Sequence, residues 1–176
     1  LKAALPEAIP AEKIRAKLGA SWIEPKYYEA FVEYLAGRTV SAENWMRYNS
    51  VAGNWVMLFP AELRQAREIA SRWSTARRNG VDLIESIMNS TKIEVVDTYK
   101  DADGTHTVVN AEATAAAQQL AQKIEREFDK WLWSNEDRSA ALAERYNEVF
   151  NSHVNRKFDG LAVYPERRLP GMSQTF

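Results

Sequence analysis

The sequence has no cysteine and no long apolar run, and each shortage excludes a class of protein. Without cysteine there can be no disulfide, thiolate zinc site or thiol nucleophile, which fits a reducing compartment. The longest apolar stretches, such as residues 55–59, are far shorter than the roughly 20 residues that cross a bilayer. No charged-then-apolar signal opens the chain. We therefore expect a soluble, cytoplasmic protein without a membrane segment.

Glycine and histidine are too sparse for the common catalytic and cofactor motifs. The seven glycines, at positions 19, 37, 53, 80, 104, 160 and 171, are too widely spaced for a dinucleotide fingerprint, a P-loop or a nucleophile elbow. A zinc site would need both His106 and His153 to converge with carboxylates. Asp101, Asp103 and Glu112 have the outer spacing of a calcium loop, but its required glycine is misplaced, which favours a plain turn. We expect no metal, no cofactor and no catalytic residues in this chain.

The charges are balanced, with 23 basic and 24 acidic residues and a net charge of -1. Bulk electrostatics therefore attracts neither nucleic acid nor an anionic membrane. Any contact with DNA must come from a local cluster of cations.

The apolar spacing predicts an α+β fold that is rich in helix. A chain of 176 residues with 45% hydrophobic content can bury one core, so we expect a single domain over 1–151, followed by an extended tail over 152–176. Helical spacing and end signals predict helices over 10–18, 25–36, 61–73 and 81–89. Asn110 is expected to cap a helix of about 20 residues, and a second helix, antiparallel to it, should follow Asn135. Turn signals at Gly53 and Gly104 predict two small β-hairpins, within 40–59 and 93–109.

A cluster of arginines is the feature that points most directly to nucleic acid. Guanidinium groups pair with phosphates and an aromatic face can stack on a base. The competing interpretation is that Trp73 is a core residue and the arginines only coat a helix. A second basic group lies in the tail, where the alternative interpretation is a linker. The candidates for DNA contact are Arg67, Arg72, Trp73, Arg77, Arg78, Arg156 and Lys157.

Six tryptophans are many for a chain of this length. Trp131 and Trp133 cannot share one helix face, so at least one should be partly exposed or packed against a neighbouring domain. Contact with the rest of a larger polypeptide would explain such exposure, while ordinary core packing explains most of the tryptophans.

Four ordered groups of segments carry a resemblance to a known family. They are residues 5–14 with 18–23, residues 78–85, residues 96–98 with 103–104 and 109–112, and residues 146–151 with 158–160 and 169–173. In this order they resemble the region upstream of the helicase core in large phage and mobile-element proteins. Those proteins are Snf2-like superfamily 2 helicases that often carry an N6-adenine DNA methyltransferase domain, and they include relatives of the DarB antirestriction protein.

The resemblance implies that this chain is a piece of a longer protein. In the family, a segment like Leu169-Pro170-Gly171 shortly precedes the ATP-binding motifs, so ATP and S-adenosylmethionine are expected only in the parent protein. The intervening run 161–168 is longer than the family pattern. The expected partners are the adjoining helicase and methyltransferase domains. We therefore expect a non-catalytic accessory domain that connects catalytic parts and contacts DNA. The alternatives are a structural module that docks on neighbouring domains without DNA and, third, an independent small enzyme.

Overall fold

The structure, a computed structural model, describes residues 6–151. A single 3-10 turn, Ala11–Lys13, precedes the first α-helix, and a π-helical turn, Asn147–Asn151, follows the last. The helices are α1 (Pro25–Ala36), α2 (Ala61–Arg64), α3 (Arg67–Arg72), α4 (Gly80–Met88), α5 (Ala111–Leu132) and α6 (Glu136–Tyr146). The strands are β1 (Met46–Asn49), β2 (Asn54–Met57), β3 (Val96–Asp101) and β4 (Gly104–Val109).

The fold class is α+β and helix-rich, with two small hairpins and a pair of helices near the C-terminus, as predicted. In the first hairpin β1 pairs antiparallel with β2, and in the second β3 pairs antiparallel with β4. Helix α1 begins at Pro25 and is terminated by Gly37, the residue after its last turn, which has the left-handed φ of 65°. Asn110 and Asn135 cap α5 and α6 as expected, each accepting a backbone N–H three residues on.

The chain divides into two compact units, of which the larger is Ala16–Ser134. Its core is built around aromatic rings from α1, β2 and α5. Tyr28 stacks on Phe128 with 5.4 Å between ring centroids and meets Trp55 edge-on at 4.9 Å. Phe31 meets Phe128 edge-on at 5.1 Å. Burial raises the pKa of Tyr28, while the backbone N–H of Gly19, donating to its hydroxyl oxygen, opposes the rise.

The smaller unit joins the two ends of the described chain, residues 6–15 and 135–151. Asn147 links the two segments, because its Oδ1 accepts the Ile9 N–H at 2.8 Å and its Nδ2 donates to the Ile9 carbonyl at 2.9 Å. Asn151 donates to the Glu7 carbonyl at 3.1 Å. These amide side chains replace the backbone pairing that a strand would supply.

Two predicted helices are wrong in extent. Over 10–18 the structure has only the 3-10 turn, and Ile14, Ala16 and Leu18 are buried at alternate positions, which is the period of an extended chain. The predicted helix over 61–73 is broken into α2 and α3 by Ala66, whose ψ of 135° is extended. The Arg64 carbonyl at the break accepts the Asn79 side-chain N–H at 3.2 Å instead of continuing the helix. The predicted tail over 152–176 lies outside the described residues.

Candidate nucleic-acid interface

Trp73 lines a surface depression beside Arg72 but is almost fully buried, so its predicted role in stacking on a base is corrected. Its side chain is 4% exposed, in the core beside α3. The Lys123 ammonium lies 5.0 Å from its ring centroid, and the Arg72 guanidinium 5.7 Å away. A buried ring covered by the protein's own cations has no open face for a base. The competing interpretation, a core tryptophan, is the one the structure supports.

Arg77 and Arg78 hold the base of the second hairpin. Arg77 donates to the Asp97 carboxylate at 2.7 Å and to the Val96 carbonyl at 3.0 Å. The hydrogen bond from Arg77 holds the pKa of Asp97 below its ordinary value. Arg78 is half-buried and donates to the Glu94 carbonyl at 3.3 Å and to the Ser86 hydroxyl at 3.2 Å. Both guanidinium groups are therefore used within the fold.

Arg67 instead faces a wide groove, together with an arginine that the sequence interpretation missed. The groove has a volume of about 570 Å³, and Arg38 and Arg67 both line it. Within the described residues neither guanidinium lies within ion-pair distance of a carboxylate. Its other lining residues are Ala36, Gly37, Thr39, Gln65, Ala66 and Glu68.

A second depression of about 290 Å³ adjoins the groove and shares Gly37 and Glu68 with it. Arg72 lies there, 3.9 Å from the Glu68 carboxylate, at the long end of an ion pair. Tyr34 donates its hydroxyl to the Glu127 carboxylate at 2.8 Å, and this hydrogen bond raises the pKa of Tyr34. We call Arg38, Arg67 and Arg72 the groove arginines.

The excess of positive charge around the groove is small. Glu68 and Glu127 border the depressions, and Glu62 lies beside Arg38 in a third depression of about 200 Å³. Lys123 adds one further cation above Trp73. Any phosphate contact must therefore come from individual guanidinium groups rather than from a broad positive field.

The remaining site predictions fall elsewhere. Arg64, in the same stretch of sequence, pairs with Asp82 at 2.9 Å. Arg156 and Lys157 lie outside the described residues. Trp131 and Trp133 are both partly exposed, as their spacing predicted.

Over residues 6–151 no three His, Asp or Glu side chains are grouped to hold a metal, and no helix is long and apolar enough to cross a membrane.

The hairpin of β3 and β4 is the other exposed feature of the larger unit. All twelve of its strand residues except Asp97 and His106 are exposed, and these two are only partly covered. Its exposed large apolar side chains are Val96, Tyr99, Val108 and Val109. Tyr99 stacks on His106 at 5.2 Å, and His106 contacts Asp101 at 2.9 Å. Val96 and Val109 lie on one face of the hairpin and Tyr99 and Val108 on the other, so each face carries two exposed apolar side chains and is a candidate for contact with protein.

A family model matches residues 17–152, so the chain belongs to the family described as Domain of unknown function (DUF8437). No curated protein and no solved structure matches the sequence.

Proposed function

We propose that this chain is a non-catalytic accessory domain of a larger cytoplasmic DNA-processing protein, and that the groove arginines contact the DNA backbone. The link to a helicase and methyltransferase polypeptide rests on the resemblance of the four ordered groups of segments. The contact with DNA rests on the groove itself. ATP and S-adenosylmethionine would be bound by the parent's catalytic domains, which are the expected partners.

The observation that carries DNA contact is the pair of uncommitted guanidinium groups on one groove. Arg38 follows the end of α1 and Arg67 begins α3, and both line the same depression. Arginine without an internal partner is free to form bidentate hydrogen bonds with phosphate oxygens. Arg72 is 3.9 Å from Glu68, an exposed pair of low energetic value that a phosphate could replace.

The geometry of the groove also determines how strong and how sequence-specific we expect DNA binding to be. Backbone contacts position a protein on DNA but do not read base sequence. With three groove arginines and several nearby carboxylates, binding should be weak, sensitive to salt and independent of sequence. Such a contact suits a domain that assists catalytic neighbours instead of selecting a target.

Fluorescence anisotropy of labelled forked DNA tests the proposal. The Arg38→Ala/Arg67→Ala double variant should bind about tenfold or more weakly than the unmodified chain at low salt. Arg64→Ala is the matched control, because Arg64 lies in the same sequence stretch but is paired with Asp82. It should change affinity by no more than about twofold. Equal losses in both variants, or no binding at low salt, would refute DNA contact through the groove.

A second candidate function, docking on protein without DNA contact, is favoured by the exposed hairpin of β3 and β4. Its strands expose three valines and a tyrosine, while its side chains include Asp97, Asp101 and Asp103. An acidic hairpin is repelled by DNA and fits a protein surface better. If the anisotropy experiment finds no DNA binding, this function remains.

A further inference from the structure

The hydrogen-bonding pattern of the second hairpin shows which backbone groups point outward. The Asn110 N–H donates to the Val95 carbonyl at 2.8 Å, so this pair is a hydrogen-bonded one. Hydrogen-bonded and non-hydrogen-bonded pairs alternate along antiparallel strands. The pairs Val96–Val109, Thr98–Thr107 and Lys100–Thr105 are therefore non-hydrogen-bonded, with their backbone groups directed away from the hairpin.

The outer edge of β3 is protected against pairing with another strand. The Arg77 guanidinium donates a 3.0 Å hydrogen bond to the Val96 carbonyl, which points out from this edge. Its other nitrogen is fixed on Asp97 at 2.7 Å, so the guanidinium is held there from two directions. Lys100 places a charge further along the same edge. Side chains of this kind are how natural proteins block exposed strand edges.

The outer edge of β4 has no such protection. Its sequence, Gly-Thr-His-Thr-Val-Val, contains no lysine, arginine, carboxylate or proline. Among the described residues, none donates to or accepts from the outward backbone groups of Thr105, Thr107 and Val109. Four of its six residues are β-branched, the type that favours an extended strand. An exposed, uncharged strand of this length is ready to pair with another strand.

We propose that β4 pairs antiparallel with β4 of a second copy of this chain, giving a four-stranded sheet across a two-fold axis at Thr107. In this register Thr107 faces its own counterpart, and Thr105 faces Val109 in both directions. Every outward N–H and C=O of the three residues then gains a partner. The edge is thus complementary to itself, as a two-fold interface requires.

The charge of β4 and the size of the contact are consistent with pairing between two copies of this chain. Because β4 contains no lysine, arginine or carboxylate, two copies of the strand can approach without repulsion between like-charged side chains of these types. The protected edges of β3 become the outer edges of the four-stranded sheet, so no further copy of the chain can pair with the sheet. The contact is small beside a standard protein interface of about 1,600 Å². We therefore expect a dimer that dissociates in the micromolar to near-millimolar range.

Sedimentation velocity over a wide range of concentration tests this pairing with proline variants. Thr107→Pro removes an outward N–H that the hairpin itself does not use, and the two-fold axis doubles the loss. It should weaken dimerisation by about tenfold or more. Thr98→Pro is the matched control, since Thr98 is the cross-strand neighbour of Thr107 but faces the other edge. It should leave the dimer intact. A chain that stays monomeric at the highest concentration, or equal losses in both variants, would overturn the proposal.

Charged variants test the register and do not alter the backbone. Thr107→Lys and Thr107→Glu should each be monomeric, because identical charges would face each other across the axis. Mixed in equal amounts, they should form a heterodimer, because the facing charges are then opposite. A mixture that associates no more than either variant alone would refute the Thr107 axis. The groove arginines take no part in this pairing, so a failure here leaves the DNA proposal untouched.

Discussion

At the scale of single residues, the arginines between positions 64 and 78 are close in sequence but differ in role. Arg77 and Arg78 are hydrogen-bonded to β3 and its approach, and Arg64 is bound to Asp82. Arg67 faces an open groove. The difference is decided by which carbonyl or carboxylate the fold brings within reach, because exposed guanidinium groups pair with whatever acceptor is near.

Because of the Arg77–Asp97 pair, the free energy of unfolding should decrease as the pH falls into the acid range. Since the folded pKa of Asp97 is lowered, its stabilising effect is present above the unfolded pKa and lost as pH falls through the folded pKa. Asp97→Asn should therefore reduce the free energy of unfolding at neutral pH, with the difference vanishing in acid. Urea unfolding of both proteins at a series of pH values measures this. Asp103→Asn, at the exposed turn, is the control. A difference that stays constant with pH would contradict the ion pair.

Gly19 is held by close packing as well as by its backbone angle. Its φ is 103°, and a Cβ there would lie 2.6 Å from the Met88 carbonyl oxygen. Gly104 has φ 128°, but a Cβ at that position would meet no other atom within 4 Å. Gly19→Ala should lower the free energy of unfolding by about 3 kcal/mol or more, and Gly104→Ala by about 1 kcal/mol. Chemical denaturation of both variants measures the difference, and equal effects would exclude the packing contribution.

At the scale of elements, asparagine begins three of the helices. Asn79, Asn110 and Asn135 each accept a backbone N–H from the first turn of α4, α5 and α6. Asn110 also donates to the Asp97 carboxylate at 2.9 Å, and so joins the start of α5 to β3. The cap therefore stabilises the base of the hairpin as well as the helix.

Removing the cap of α5 should destabilise the protein. Asn110→Ala should lower the free energy of unfolding by about 1 to 2 kcal/mol, measured by urea denaturation. Asn110→Ser keeps an oxygen for the Ala113 N–H but loses the bond to Asp97, so it should recover part of the loss. If serine and alanine are equally destabilising, the cap is not the cause.

The sequence predicted the elements whose signals are local. Helices α1, α4, α5 and α6 have caps or end signals beside an apolar face, and Gly104 marks the turn of the second hairpin. At the break near Ala66, Asn79 donates a hydrogen bond to the Arg64 carbonyl, fifteen residues away in sequence, and no local pattern indicates it. Residues 14–18 alternate in burial, but four residues of spacing between Ile14 and Leu18 fit a helix equally well.

The candidate site was only partly predictable for the same reason. Arg67 and Arg72 were found because they lie in a dense run of arginines. Arg38 stands alone after Gly37, and only the tertiary fold brings it to the groove of Arg67. Trp73 has the same sequence neighbours whether it is core or surface, so burial alone separated the two interpretations.

At the scale of the whole molecule, the larger unit offers two surfaces with different chemistry. The groove arginines suit phosphate, and the uncharged edge of β4 suits another strand. They share no residue, so variants of one surface leave the other available. A dimer through β4 would also present two grooves, which raises the effective concentration for one DNA molecule.

The salt dependence of DNA binding tests the central claim most directly. Each phosphate that the protein neutralises contributes about −0.9 to the slope of log affinity against log salt, so three groove arginines predict a slope of about −2 to −3. Arg38→Ala should reduce the size of this slope by about one, and Arg64→Ala should leave it unchanged. A slope near zero, or one unaffected by Arg38→Ala, would contradict a DNA contact made by the groove.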